Sequence, residues 1–98
     1  MNRPEFIIKE NSWLAKIAAK KLRSSNVAMV LGGKIHLFCV SKTDFLADEK
    51  GLKHELCHIK QFKQYGYFNF VIRYLWESLR KGYYNNRFEV EARNAEDL

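Results

Sequence analysis

Leu52-Lys53-His54-Glu55-Leu56-Cys57-His58-Ile59-Lys60-Gln61-Phe62 is the stretch on which the reading of this chain turns. Leu52, Leu56, Ile59 and Phe62 recur at spacings of three and four, the period of a helix with one apolar face. His54 and His58 are four apart, so on that helix both imidazoles share a side and can meet a single ion. Glu55 stands beside them, placed to act on a water rather than to bind the metal itself. H-E-x-x-H also arises by chance, and a histidine on a mixed face is commonly a satisfied structural residue. Here two of the chain's three histidines fall in the pattern with the required Glu between them. The apolar positions point roughly away from the pair, Phe62 lying nearest to it. One face is therefore expected to pack while the other looks into a cleft.

The neighbouring segments supply the rest of the fold. The helix is expected over Glu49–Tyr65 and to end at Gly66, and a second helix over residues 69–81 is expected to bury Phe70, Val71 or Ile72, Leu75 and Leu79 before Gly82 closes it. Asn85-Asn86 reads as the start of a third, because Asn caps helix N-termini well. Upstream, residues 6–9 suggest a short strand. Asn11 or Ser12 can cap a helix carrying Trp13, Leu14, Ile17, Ala18 and Leu22, and Ser24-Ser25-Asn26 breaks it. Val27–Leu31 and residues 34–40 read as strands joined by Gly32-Gly33, a two-residue hairpin signal, with Ile35, Leu37 and Cys39 toward the core. The fold class expected is α+β, a small antiparallel sheet packed against helices. The 98 residues hold one Pro and five Gly, with no linker or repeat, which fits one domain over residues 1–98.

A tetrahedral zinc site needs a third protein ligand and leaves its fourth position for water when it is catalytic. His36 is one candidate, and the acids Glu89 and Glu91 near the C-terminus are others. The interval from His58 to Glu89 holds a complete helix and a turn, so the chain can return to the metal. Glu89 and Glu91 lie about 200° apart around a helix and cannot both face one ion. If Asn86 is the cap, Glu89 falls at the third helical position and can reach back to the cap's backbone N–H as a capping box. With Asn85 as the cap, Glu89 is free for the metal and Glu91 pairs with a Lys or Arg.

His54-Glu55-x-x-His58-x-x-Gln61, a helix-sized gap and Asn85-Asn86-Arg87-Phe88-Glu89-Val90-Glu91-Ala92 together resemble the gluzincins, zinc peptidases whose third ligand is a Glu, and in particular their small single-domain relatives. The motif-bearing resemblance covers about residues 50–96. It implies a minimal zincin-like fold with the H-E-x-x-H helix at the cleft, zinc held by His54, His58 and Glu89, and a sheet edge that pairs with an extended substrate, for which Lys34–Phe38 is the candidate. Two positions depart from the pattern. Asn86 stands where the relatives usually have Pro, and Arg93 stands where several carry an Asp that supports a zinc-bound His.

Charge and composition bound the alternatives. A 47% hydrophobic content with 14% aromatic residues argues against disorder. The formal net charge is +6, with Lys16, Lys20, Lys21 and Arg23 the densest basic cluster, a solvated helix face unless nucleic acid or an acidic protein binds there. Cys39 and Cys57 are the only cysteines, which suits a reducing compartment, and Cys57 reads as a small buried thiol turned off the metal face. Met1-Asn2-Arg3-Pro4-Glu5 lacks the apolar core of a secretory signal. The most apolar run, residues 68–76, is too short for a bilayer span of about 20 residues. A cytoplasmic protein with no membrane partner is expected.

The reading is a zinc-dependent peptide-bond hydrolase acting on a peptide or protein substrate, with Glu55 as general base and a tyrosine such as Tyr65, Tyr83 or Tyr84 available to the developing oxyanion. The alternative is a zinc-stabilised binding module without catalysis, whose basic surface takes nucleic acid or an acidic protein. A third is a latent peptidase with its own C-terminal residues in the cleft.

Overall fold

The structure, a computed structural model, describes residues 4–98; Met1-Asn2-Arg3, part of the N-terminal stretch read for a signal, lie outside the described residues. Along the chain run β1 (Ile7–Lys9), α1 (Trp13–Leu22), β2 (Val27–Leu31), β3 (Lys34–Phe38), α2 (Lys42–Ala47), α3 (Glu49–Tyr65), α4 (Tyr67–Asn85) and α5 (Arg87–Ala95). The class is α+β, as expected. Among the described residues no helix is long and apolar enough to cross a membrane.

The three strands stand in the order β1-β3-β2. β2 and β3 form the antiparallel hairpin anticipated at Gly32-Gly33, with Met29 opposite His36. β1 pairs parallel to β3, Ile8 opposite Ile35, so the sheet is mixed rather than antiparallel. The α1 segment leaves from and returns to the same end of the sheet, beside Leu37 and Phe38, so β2 runs opposite to β1 and the hairpin turns β3 parallel to β1. β3 is consequently the middle strand and β1 and β2 are the edges, so Lys34–Phe38 is not the sheet edge it was expected to be.

Ile35 and Leu37, alternate residues of β3, are fully buried and meet Leu52, Leu56 and Ile59 of α3 and Phe45 of α2. This is the apolar face that the spacing in α3 predicted. A second cluster joins Phe62, Phe70 and Phe88, one ring each from α3, α4 and α5, with Tyr65 and Tyr74 packed against it. Phe70 and Phe88 meet edge to face at 5.0 Å between centroids, a favourable arrangement for aromatic quadrupoles.

Helix ends follow local chemistry. Ser12, Ser41 and Asp48 cap α1, α2 and α3 by accepting backbone N–H bonds from Ala15, Asp44 and Gly51. The short helix α2 lacks enough length for a periodic signal, and the Ser41 cap was its only sequence mark. Gly66 and Gly82 adopt φ of 84° and 80°, values that side-chain-bearing residues rarely take, and they turn the chain out of α3 and break the last turn of α4.

Two helices turn their apolar residues outward. Of the residues that α1 carries at helical spacing, Trp13, Ile17 and Leu22 are exposed, and it is Ala15 and Ala19 that are buried. The small alanines let α1 approach closely. In α4 only Phe70 of the expected core residues is buried, while Ile72, Leu75 and Leu79 face outward. Cys39, expected toward the core, is exposed at φ 57° just past β3.

Candidate metal centre

α3 presents His54 and His58 on one side, and α5 crosses it so that Glu89 lies between them. Glu89 Oε1 is 3.2 Å from His54 Nε2 and 3.2 Å from His58 Nε2. One ligand atom from each of the three residues lies within 4.8 Å of the others, an arrangement that could hold a metal ion. Ligand atoms at about 2.0–2.1 Å from a tetrahedral ion are separated by roughly 3.3 Å, close to the distances found.

Both imidazoles are oriented from behind. His54 Nδ1 is 2.8 Å from Glu96 Oε2, and His58 Nδ1 is 2.8 Å from Gln61 Oε1. Each acceptor can take a proton from Nδ1 and so holds the ring with Nε2 turned to the Glu89 carboxylate, the nitrogen that a metal would use once its proton is displaced. Glu96 thereby supplies the carboxylate that Arg93 cannot. It sits three residues further along α5, almost one turn. Arg93 instead lays its guanidinium 3.9 Å from the centre of the Tyr84 ring and donates to the Tyr84 carbonyl, tying α5 to the end of α4.

The electrostatics agree with a cation-binding triad. Hydrogen bonding to Glu89 lifts the pKa of His54 to about 9, against the effect of burial. Burial lowers that of His58, but Glu89 outweighs it and the net direction is upward. Burial also disfavours ionised Glu89, yet the bonds from both histidines overcome this and hold its carboxyl well below the usual range. The carboxylate attracts positive charge to the two Nε2 atoms, and a metal ion placed there would displace protons from them. Tyr74 of α4 donates its hydroxyl to the other Glu89 oxygen, orienting the carboxylate. Its part depends on the packing of α4 against α5 and has no mark in the sequence.

The cap of α5 turns Glu89, rather than Glu91, toward the two histidines. Asn86, fully buried, accepts from the Phe88 N–H and donates to the Tyr74 carbonyl and the Ser78 hydroxyl. Asn86 rather than Asn85 is the cap, yet the capping box that this allows does not form, the Asn86 backbone N–H being bonded to the Tyr83 carbonyl. Glu89, although at the third helical position, therefore points to the histidines. Glu91 was expected to pair with a Lys or Arg; it accepts from Gln61 Nε2 at 2.7 Å and lies 3.8 Å from the Cys57 thiol. Gln61 thus clamps His58 with one end and α5 with the other. Cys57 points to that clamp rather than to the triad, and burial, helped by Glu91, pushes its thiol up to about 11.

His36 is not in the triad. It is buried at the sheet, with Nδ1 2.8 Å from the Ser12 hydroxyl, and burial followed by Lys9 and Lys34 lowers its pKa. This candidate ligand instead fastens the cap of α1 to β3.

The triad opens into a cleft of about 350 Å³. One wall is the β2 edge with Ala18 and Leu22 of α1; the other is Val71, Tyr74 and Leu75 of α4 with Tyr83. Glu55 is buried at its floor, and burial raises the carboxyl to about 7 against the opposing pull of His58 and His54. Of the three tyrosines weighed for an oxyanion, only Tyr83 lines the cleft, and burial followed by the charges of Glu89 and Glu55 pushes its hydroxyl up to about 12. Tyr65 belongs to the aromatic cluster and Tyr84 to Arg93.

A chelator competition ranks these roles. Glu89→Ala should weaken metal binding most. Glu96→Ala removes only a supporting acceptor and should cost roughly tenfold to a hundredfold, and Glu91→Ala least of the three. An order in which Glu91→Ala costs more than Glu89→Ala would assign the ligand to Glu91. Compared with known protein families, curated proteins and solved structures, the chain has no match in any of the three.

Proposed function

We propose that this chain is a zinc-dependent peptide-bond hydrolase with a minimal zincin-like fold of the gluzincin type. The observation that carries the reading is the convergence of His54, His58 and Glu89 at one point beside the buried carboxyl of Glu55. Two imidazole nitrogens and one carboxylate oxygen make a donor set suited to zinc, and three protein ligands leave a coordination position open, as catalytic sites do. A zinc ion bound there would supply Lewis acidity and bring the pKa of a coordinated water toward about 7.

The remaining work falls to the protein. Glu55, with its pKa near neutrality, can take the proton of the attacking water and return it to the leaving amine. The free edge of β2 offers backbone N–H and C=O groups to an extended peptide, orienting it irrespective of its side chains. Val71, Leu75, Ala18 and Leu22 favour an apolar side chain beside the scissile bond. Tyr83 keeps its proton and can donate it in a hydrogen bond to the developing oxyanion.

The binding-module alternative gains from the basic helices but leaves the buried Glu55 without a use, since a structural metal site has no need of a general base. Among the described residues none beyond Glu89 lines the cleft, so the latent form with a C-terminal plug has no support. The test is cleavage of an unbiased peptide library by zinc-loaded protein. Cleavage that chelation abolishes and zinc restores is expected; no cleavage of any peptide, with zinc demonstrably bound, would leave the binding module as the better reading.

A further inference from the structure

α4 carries a second feature that the metal centre does not use. Phe68, Ile72, Leu75, Trp76 and Leu79 form a continuous helical stripe, and their exposure runs from 57% at Leu75 to 81% at Leu79. The stripe faces away from Phe70 and Glu77, the buried residues of the same helix, so it is the outward side of α4. Exposed apolar stripes of this extent mark an interaction surface.

Charge says which kind. The two helices that wall the cleft, α1 with its following Arg23 and α4, hold seven basic side chains and one acid, Glu77. That acid is buried and its carboxylate lies 3.6 Å from the Lys81 ammonium, so it does not oppose the surface charge. Arg73 and Arg80 run along one flank of the stripe, while Lys16, Lys20 and Lys21 surround the exposed Trp13 and Ile17 on α1. The exposed acids lie on α2, at the start of α3, toward the C-terminus and, as Glu5 and Glu10, on either side of β1, where Glu10 is engaged by the Lys42 backbone N–H.

We infer that the outward face of α4 docks on an anionic lipid membrane, lying in the headgroup region with its apolar stripe toward the acyl chains. Large aliphatic and aromatic side chains on one side of a helix with arginines at their border are what an interfacial helix requires. The basic residues of α1 and α4 add attraction to anionic headgroups. A second copy of this chain suits the surface less well, because burying the stripe against itself would gather like charges at one seam. Nucleic acid would meet the cations but has nothing to cover the stripe. The expected absence of a membrane partner rested on the lack of a spanning segment, and an interfacial helix needs none. Leu75 belongs both to the stripe and to the cleft wall, so docking would bring the cleft next to the lipid surface. The inference stands apart from the metal chemistry.

Co-sedimentation with vesicles tests it. The protein should pellet with equal parts phosphatidylglycerol and phosphatidylcholine, much less with phosphatidylcholine alone, and less at high salt. Leu79→Glu should lower partitioning by roughly tenfold to a hundredfold, the effect of losing one buried Leu, with an unchanged circular dichroism spectrum. In Trp13→Phe protein, Trp76 is the remaining indole and its emission should move to the blue on anionic vesicles. A protein that stays in the supernatant, or a folded Leu79→Glu variant that pellets like wild type, would overturn the inference. So would unmoved Trp76 emission on sedimenting vesicles, which would signify attachment by charge alone. Retention on RNA or an acidic polypeptide without vesicle binding would assign the surface to those partners instead.

Discussion

Glu55→Gln is expected to keep its zinc and to lose roughly two to four orders of magnitude in peptide turnover. Gln has the size and much of the hydrogen-bonding capacity of Glu but cannot take up a proton near neutral pH. Glu55 is outside the His54–His58–Glu89 triad, so its replacement leaves the donor atoms in place. It is also buried, and burial is what brings its carboxyl to about 7, where a single group can accept and return a proton in one cycle. Turnover of the zinc-loaded variant is compared with wild type on the best peptide from the library. Equal rates would remove Glu55 from the chemistry and leave its burial unexplained.

His58→Ala is expected to lower zinc affinity by about a thousandfold or more, since one of three ligands carries a large share of the binding free energy of such sites. His54→Ala should act similarly, with a smaller effect on the fold, because His54 is only partly buried while His58 is buried against Gln61 and Tyr74. Zinc titration against a chromophoric chelator measures both. Affinity within a few-fold of wild type in the two variants would move the metal away from this helix.

Much of the site was legible because it is local. The four-residue spacing of His54 and His58 and the apolar spacing of Leu52, Leu56 and Ile59 reside on one helix, whose end was marked by Gly66. The chain length after His58 allowed an acid near the C-terminus to return to the histidines, and the resemblance to the gluzincin pattern singled out Glu89, which lies beside them in the structure. Of the supporting groups, Gln61 stood in the motif, but two others were not legible. Glu96 reaches His54 and Tyr74 reaches Glu89 only because α3, α4 and α5 pack together, and no spacing in the sequence encodes those distances. His36 was misjudged for the same reason, since the partner that buries it, Ser12, is 24 residues away.

The sheet shows a related limit. The hairpin is a contact between neighbours and was read from Gly32-Gly33, whereas the parallel pairing of β1 with β3 depends on the path of α1 between them. For α1 and α4 helical periodicity was right, and for α4 the expected buried side was wrong. A 3.6-residue apolar period identifies a helix with an apolar stripe, but not what the stripe faces. In α4 the inward side is instead fixed by Phe70, by the Tyr74–Glu89 bond and by Asn86 clasping the Tyr74 carbonyl.

The most direct measurement of the central claim is the metal coordination of the protein itself. Purified wild-type protein dialysed against zinc should hold about one ion per chain. Its X-ray absorption spectrum should show two imidazole nitrogens and light oxygen donors, with no sulfur scattering from Cys57. A zinc content that stays near zero after loading, or a spectrum with a thiolate ligand, would contradict the assignment of the site to His54, His58 and Glu89.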